Sequence, residues 1–156
     1  MTEIRQDKRI GKAMKQGRRQ ARECVLKALY AQNYTQDRME VVIQDVMDHE
    51  NLDKEFQVFA RKLALKTHVR AEEFDEMIKS RSEHWDFQRI AMLDKLVLRI
   101  AICEMLYFDD IPPKVSLSEA IEIAKDYSTD NSGRFVNGIL DAILGDLKKE
   151  GRIFIE

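Results

Sequence analysis

Few residues in this 156-residue chain can staple, break or bend it: two cysteines, two prolines, six glycines and a single tryptophan. Two cysteines make no disulfide framework, which fits a reducing cytoplasm. Cys24 and Cys103 each sit among apolar neighbours and read as small buried hydrophobes. So little proline and glycine argues against a sandwich or barrel, which needs a turn about every 8–12 residues. The histidines His49, His68 and His84 are isolated, and no HExxH or CxxC spacing occurs, so no metal site is expected. Nothing resembles a P-loop or a dinucleotide fingerprint. No run approaches about 18 uninterrupted apolar residues, so no membrane span is expected. The N-terminus lacks the apolar stretch of a secretory signal. With no nucleophile, base or cluster at a recognisable spacing, the chain reads as neither an enzyme nor a cofactor carrier, and no catalytic residue is assigned.

What the chain does have is charge, unevenly placed. Met1–Glu23 carries eight basic and three acidic residues, a local +5 on a chain whose formal net charge is −2. A cationic arm on an acidic body points to a polyanionic partner. Arg18, Arg19 and Arg22 fall in the first turns of a helix expected over 18–32, where the helix dipole disfavours cations by about 0.3–1 kcal/mol each. A function for these arginines would explain why that cost is tolerated. The other reading of the arm is a solvated tail.

Apolar residues recur at three- and four-residue spacing along most of the chain, which predicts about seven helices and no strands. The first carries Ala21, Val25, Ala28 and Leu29, the second Met39, Val42, Ile43 and Met47, the third Phe56, Phe59, Ala60 and Leu63, and a short fourth Phe74, Met77 and Ile78. Ser82–Asp86 reads as a connector, with Trp85 dividing an N-terminal set of helices from a C-terminal set. The most hydrophobic helix is expected over 87–107, apolar on most of its circumference and therefore central. Ser116 and Glu119 have the spacing of a capping box that opens the next helix. Residues 128–133 read as a polar loop, followed by a last helix from Phe135 to Leu147 with Gly151 past its end.

Single-stranded nucleic acid is held by cations along its backbone and aromatic faces under its bases. The arm supplies Lys15, Arg18, Arg19 and Arg22, and the same helix carries Tyr30 and Tyr34 further on; each tyrosine also reads as core or rim packing. Ser132-Gly133-Arg134-Phe135 would place free amides, a hydroxyl and a guanidinium at a helix N-terminus, a ready anion site. Phe135 is either a stacking platform or the first core residue. The charged residues Arg89, Asp94, Arg99 and Glu104 of the central helix read as an ion pair or hydrogen-bonded group where the two halves join, or one of them faces a protein partner. A helical protein-interaction module without RNA binding is the competing functional reading.

The run Arg18-Arg19-Gln20-Ala21-Arg22-Glu23-Cys24 with Ala28-Leu29-Tyr30 resembles the opening of the transcription antitermination factor NusB family. Further matches follow in order: Leu98–Ala101 with Glu104, Ile111-Pro112 with Lys114-Val115, Glu119–Glu122 with Ala124-Lys125, and, most specific, Arg134-Phe135-Val136-Asn137-Gly138-Ile139-Leu140-Asp141. The resemblance implies an all-α fold of two roughly perpendicular three-helix bundles. It places a basic, partly flexible extension at 1–17 before a single domain at 18–150, with halves at about 18–82 and 84–150.

It also implies a cytoplasmic RNA-binding adaptor that is not an enzyme. Such an adaptor binds single-stranded boxA-type RNA of ribosomal RNA leaders together with NusE, a small-subunit ribosomal protein. Through other Nus factors it reaches RNA polymerase and opposes premature termination, and a homodimer is compatible with the family. Carried over by motif, the RNA-binding residues are Arg18, Arg19, Arg22, Arg134 and Phe135, to which the basic arm and its helix add Lys15 and Tyr30, and the NusE-facing residues are Asp94 and Phe135. The departures are the long basic extension and Gln20, which interrupts the arginine run. A NusB-like domain also precedes the catalytic domain of some ribosomal RNA cytosine methyltransferases, and with the sequence ending at Glu156 no such domain is expected here.

Overall fold

The computed structural model describes residues 2–82 and 86–153, with side chains from Arg5 onward. Glu83-His84-Trp85, the centre of the expected connector, lies outside the described residues. The described residues form seven α-helices and no strand: α1 (Thr2–Thr35), α2 (Met39–His49), α3 (Lys54–Val69), α4 (Ala71–Arg81), α5 (Met92–Tyr107), α6 (Pro113–Tyr127) and α7 (Asp130–Lys149). They fall into two compact units, 1–65 and 66–156. No helix among the described residues is long and apolar enough to cross a membrane.

In the first unit α1 runs unbroken for 34 residues. The expected start at Arg18 is therefore corrected: residues 2–17 are the opening turns of α1. They consist mostly of Arg, Lys, Gln, Ala and other residues of good helix propensity, with no proline and only two glycines, Gly11 and Gly17. The correction removes one argument outright. Dipole effects fade within the first turn, so Arg18, Arg19 and Arg22, four turns or more inside the helix, bear no such cost. The helix stops where Gln36 adopts a left-handed φ of +57°. α2 stops in the same way at Asn51, φ +54°, whose short amide side chain tolerates that region. The amide of Leu52 then donates to the Met47 carbonyl, and Leu52 itself is buried. Ala21, Val25, Ala28, Ile43, Met47, Ala60 and Leu63 make the core of this unit. Gly17 is needed for close approach: a Cβ there would lie 2.0 Å from Cε2 of Phe56, a rigid ring that has little room to yield.

The second unit is built on α5, buried at every position from Asp94 to Met105 except Arg99. The expected single helix from Phe87 is broken. A short 3-10 turn at Phe87–Arg89 is capped by Asp86, whose Oδ1 accepts from the Gln88 amide at 3.1 Å. Ile90 and Ala91 are extended before α5 begins at Met92. Charged groups on α4 and α5 are tied down by specific partners. Arg99 makes two bonds to Asp75, at 2.7 and 2.9 Å, and the Tyr107 hydroxyl donates to Glu73 at 2.8 Å.

The capping box is also corrected. α6 begins at Pro113, a residue pre-shaped for the first helical turn, so Ser116 lies inside the helix and its hydroxyl donates to the buried Glu104 at 3.0 Å. α7 likewise starts earlier than expected, at Asp130, which converts most of the expected loop into helix. Its end matches expectation: Gly151 takes φ +68°, and Gly151 and Arg152 donate to the carbonyls of Lys148 and Leu147.

Candidate functional site

The two units each carry one candidate surface. On the first, α1 presents Lys12, Lys15 and Arg19 along one side. Lys12, Lys15, Gln16 and Arg19 line a hollow of about 270 Å³. Lys15 is exposed and Arg19 half-buried. Arg18 and Arg22 turn instead toward α3, where their guanidinium carbons sit 5.0 and 5.5 Å from the centre of the Phe59 ring. Arg22 is only 3% exposed. The three arginines grouped by sequence are thus divided by the helix. Arg19 faces outward, whereas Arg22 is a buried cation packed on an aromatic face, a contact worth more when desolvated. Further along α1, Tyr30 and Tyr34 are both exposed. Their ring centres are 5.2 Å apart and their hydroxyls 3.2 Å apart. By helical position they share the side of α1 that carries Lys12 and Arg19, and they are an exposed aromatic pair and not core residues.

On the second unit, a cleft of about 590 Å³ opens beside the start of α7. Arg134 and Phe135, the motif residues, line it with Asp94 of α5 and with Arg81 and Arg89. Arg134 is exposed and Phe135 half-buried, so the ring is neither core nor free surface but a wall of the cleft. Asp94 is 8% exposed. Its Oδ2 accepts from the Ser132 hydroxyl at 3.2 Å, while its Oδ1 is buried with no hydrogen-bond partner among the described residues. Burial holds the Asp94 carboxyl above the usual carboxylate range, opposed by the Ser132 bond. A buried carboxylate oxygen without a donor is costly, and Asp94 is one of the residues lining the cleft with Arg81, Arg89 and Arg134.

The anion site expected at Ser132–Gly133 does not form. The Ser132 amide donates to the Thr129 hydroxyl at 3.1 Å and the Gly133 amide to the Thr129 carbonyl at 3.2 Å. Both amides are consumed by the N-cap of α7 and are not open to a ligand.

Sequence reasoning missed Arg81, which reaches the cleft from α4 while bound to Asp146 of α7 through both nitrogens of its fork. No local pattern marks a residue 53 positions before Arg134 as its neighbour. For Arg89 the sequence offers only a charge near the central helix, and for Tyr34 only its nearness to Tyr30. The cysteines are inert: burial pushes the Cys24 thiol up to about 11 and that of Cys103 up to about 12. Among the described residues, no group of three His, Cys, Asp or Glu side chains is placed to hold a metal ion.

A model of the NusB family matches residues 19–145. The chain belongs to the NusB family. Transcription antitermination protein NusB of Salinibacter ruber is 44% identical over 140 residues, covering 87% of this chain and 86% of that protein. The structure of NusB from T. maritima superposes with a TM-score of 0.75 at 39% identity, covering 82% of this chain and 90% of that one. A crystal structure of antitermination factors NusB and NusE in complex with dsRNA contains a chain of the same fold, with a TM-score of 0.75 at 23% identity, covering 84% of this chain and 98% of that one. The NusB family is one of transcription antitermination proteins, not of enzymes. Its matched region begins at Arg19, so most of the outward basic side of α1 lies before it.

Proposed function

We propose that this chain is a cytoplasmic RNA-binding antitermination factor. It binds single-stranded boxA-type RNA of ribosomal RNA leaders together with NusE and, through other Nus factors, helps RNA polymerase resist premature termination. The observation that carries this reading is the cleft that brings Arg134 and Phe135 beside the unpartnered Asp94 oxygen. A guanidinium and a half-exposed ring suit an unpaired nucleotide, the cation on phosphate and the ring under a base. A buried carboxylate oxygen lacking a donor suits a protein partner that brings an N–H or a cation. Family membership and a similar fold solved with NusE and RNA support the same pairing of partners. On α1, the half-buried Arg19 adds a cation where the family region begins and Tyr30 an exposed ring.

The test is a gel shift with a boxA-type RNA. Arg134→Ala and Phe135→Ala are each expected to weaken binding by roughly ten-fold, within the about 1–3 kcal/mol measured for loss of a base-stacking or phosphate-gripping side chain. Circular dichroism is expected to show an unchanged helical fold. RNA affinity unaltered in both variants would remove the cleft from the RNA path.

A further inference from the structure

The extra length of α1 is a feature the family match leaves out. Residues 2–18 continue the helix by about 25 Å before the matched region begins, at 1.5 Å per residue. Within that length Lys8, Lys12 and Lys15 follow one another at spacings of four and three, and Arg19 continues the series at four. At about 100° per residue these four positions fall within roughly 60° of the helix circumference, along about 16 Å of axis. Lys8, Lys12 and Lys15 are exposed, and Lys12, Lys15 and Arg19 line one hollow. Arg5 lies next to the row and Arg9 further round on the same side, whereas Asp7 lies on the other side, about a third of a turn from the row's centre. The exposed apolar pair Ile10 and Met14 occupies the opposite side.

We propose that Lys8, Lys12 and Lys15 form, with Arg19, a phosphate-tracking row that grips RNA flanking the segment bound by the family's common region. This rests on the RNA-binding reading above and extends it along the chain. The row favours a nucleic acid over an acidic protein surface. Protein interfaces are depleted of lysine and anchored by aromatic residues, and the row has three lysines with no aromatic among them. A regular line of point cations suits a regular line of phosphates, gained through counterion release and indifferent to base identity. The row is also held in direction at its C-terminal end. Gly17 lets α1 approach Phe56, and Arg18 packs on Phe59, so the row is a rod with an anchored end.

The experiment compares wild type with the triple variant Lys8→Gln, Lys12→Gln, Lys15→Gln. Two probes are used: a boxA-type RNA of about 12 nucleotides, and the same RNA lengthened by about eight uridines at each end. Glutamine keeps helix propensity, and circular dichroism checks it. The control, Lys114→Gln, Lys148→Gln, Lys149→Gln, makes the same change in net charge on exposed residues elsewhere. Three lost phosphate contacts are expected to lower the magnitude of the log-affinity against log-salt slope by about 2 on the longer RNA. Affinity near 0.15 M salt should fall about 10- to 50-fold, with little change on the short RNA and little in the control.

If the triple variant binds the longer RNA with wild-type affinity and slope, the row is overturned while RNA binding by the family region stands. Equal losses on both RNAs would overturn it too, because the lysines would then serve the common segment. Equal losses in variant and control would reduce it to net charge. Wild type binding neither RNA would sink the underlying reading and the row with it.

Discussion

Asp94→Asn is expected to make the protein more stable and a poorer partner for NusE. The carboxylate is 8% exposed, one of its oxygens has no donor, and burial raises its pKa. A carboxyl whose folded pKa lies above its unfolded value stabilises the fold fully only below the unfolded value, and loses that contribution as pH rises through the folded one. At neutral pH the ionised group is therefore a cost. The amide keeps an acceptor for Ser132 and removes the charge, so a gain of about 1 kcal/mol, roughly 2–4 °C in Tm, is expected at pH 7. The gain should shrink toward zero as pH falls through the folded-state pKa of Asp94. If the oxygen is held for a donor on NusE, the same substitution should weaken that complex by about 2 kcal/mol or more, close to 30-fold.

Asp94→Lys, which places an ammonium beside Arg81, Arg89 and Arg134, should weaken the complex further, and should weaken it more than it weakens RNA binding. Calorimetry with NusE and thermal melts across the acid range check both halves. Undiminished NusE affinity in both variants removes Asp94 from the interface, and a less stable Asp94→Asn protein contradicts the unpaired-oxygen reading.

Arg19→Ala and Arg22→Ala are expected to fail in different ways. Arg19 is half-buried on the hollow lined by Lys12 and Lys15, so its loss should lower RNA affinity several-fold and move stability by less than about 1 kcal/mol. Arg22, 3% exposed and packed on Phe59, carries a buried charge whose surroundings are arranged around it. Truncating it should destabilise the protein by about 2–4 kcal/mol, and any loss of RNA binding would be secondary to that. Urea unfolding beside a gel shift separates the two outcomes. An Arg22→Ala protein of wild-type stability and reduced RNA affinity would return Arg22 to the RNA surface.

That contrast shows what was legible in the sequence. The stripes of Ala21, Val25 and Ala28, and of Met39, Ile43 and Met47, announced helices and core, because three- and four-residue spacing is a local property. The Arg134–Asp141 motif pointed to the family. What escaped was decided by neighbours distant in sequence or by competing caps. Pattern cannot distinguish Arg19 from Arg22 until Phe59 of α3 takes up the second. Ser116 has the spacing of a cap but spends its hydroxyl on Glu104 of α5. Thr129 caps α7 before the amides of Ser132 and Gly133 can serve an anion. The break at Ile90–Ala91 falls among residues of adequate helix propensity, where the cap supplied by Asp86 starts a separate short turn. Residues 2–17 were legible as charged but not as helix, because they lack the apolar stripe that flags one.

The most direct measurement is the affinity of a boxA-type RNA as a function of salt, taken with and without NusE. A protein that engages three to five phosphates gives a log–log slope of about −2 to −3.5, using the coefficient for single strands. Affinity should rise when NusE is present. A flat salt response, or no binding at low salt in either condition, would contradict RNA binding by this chain.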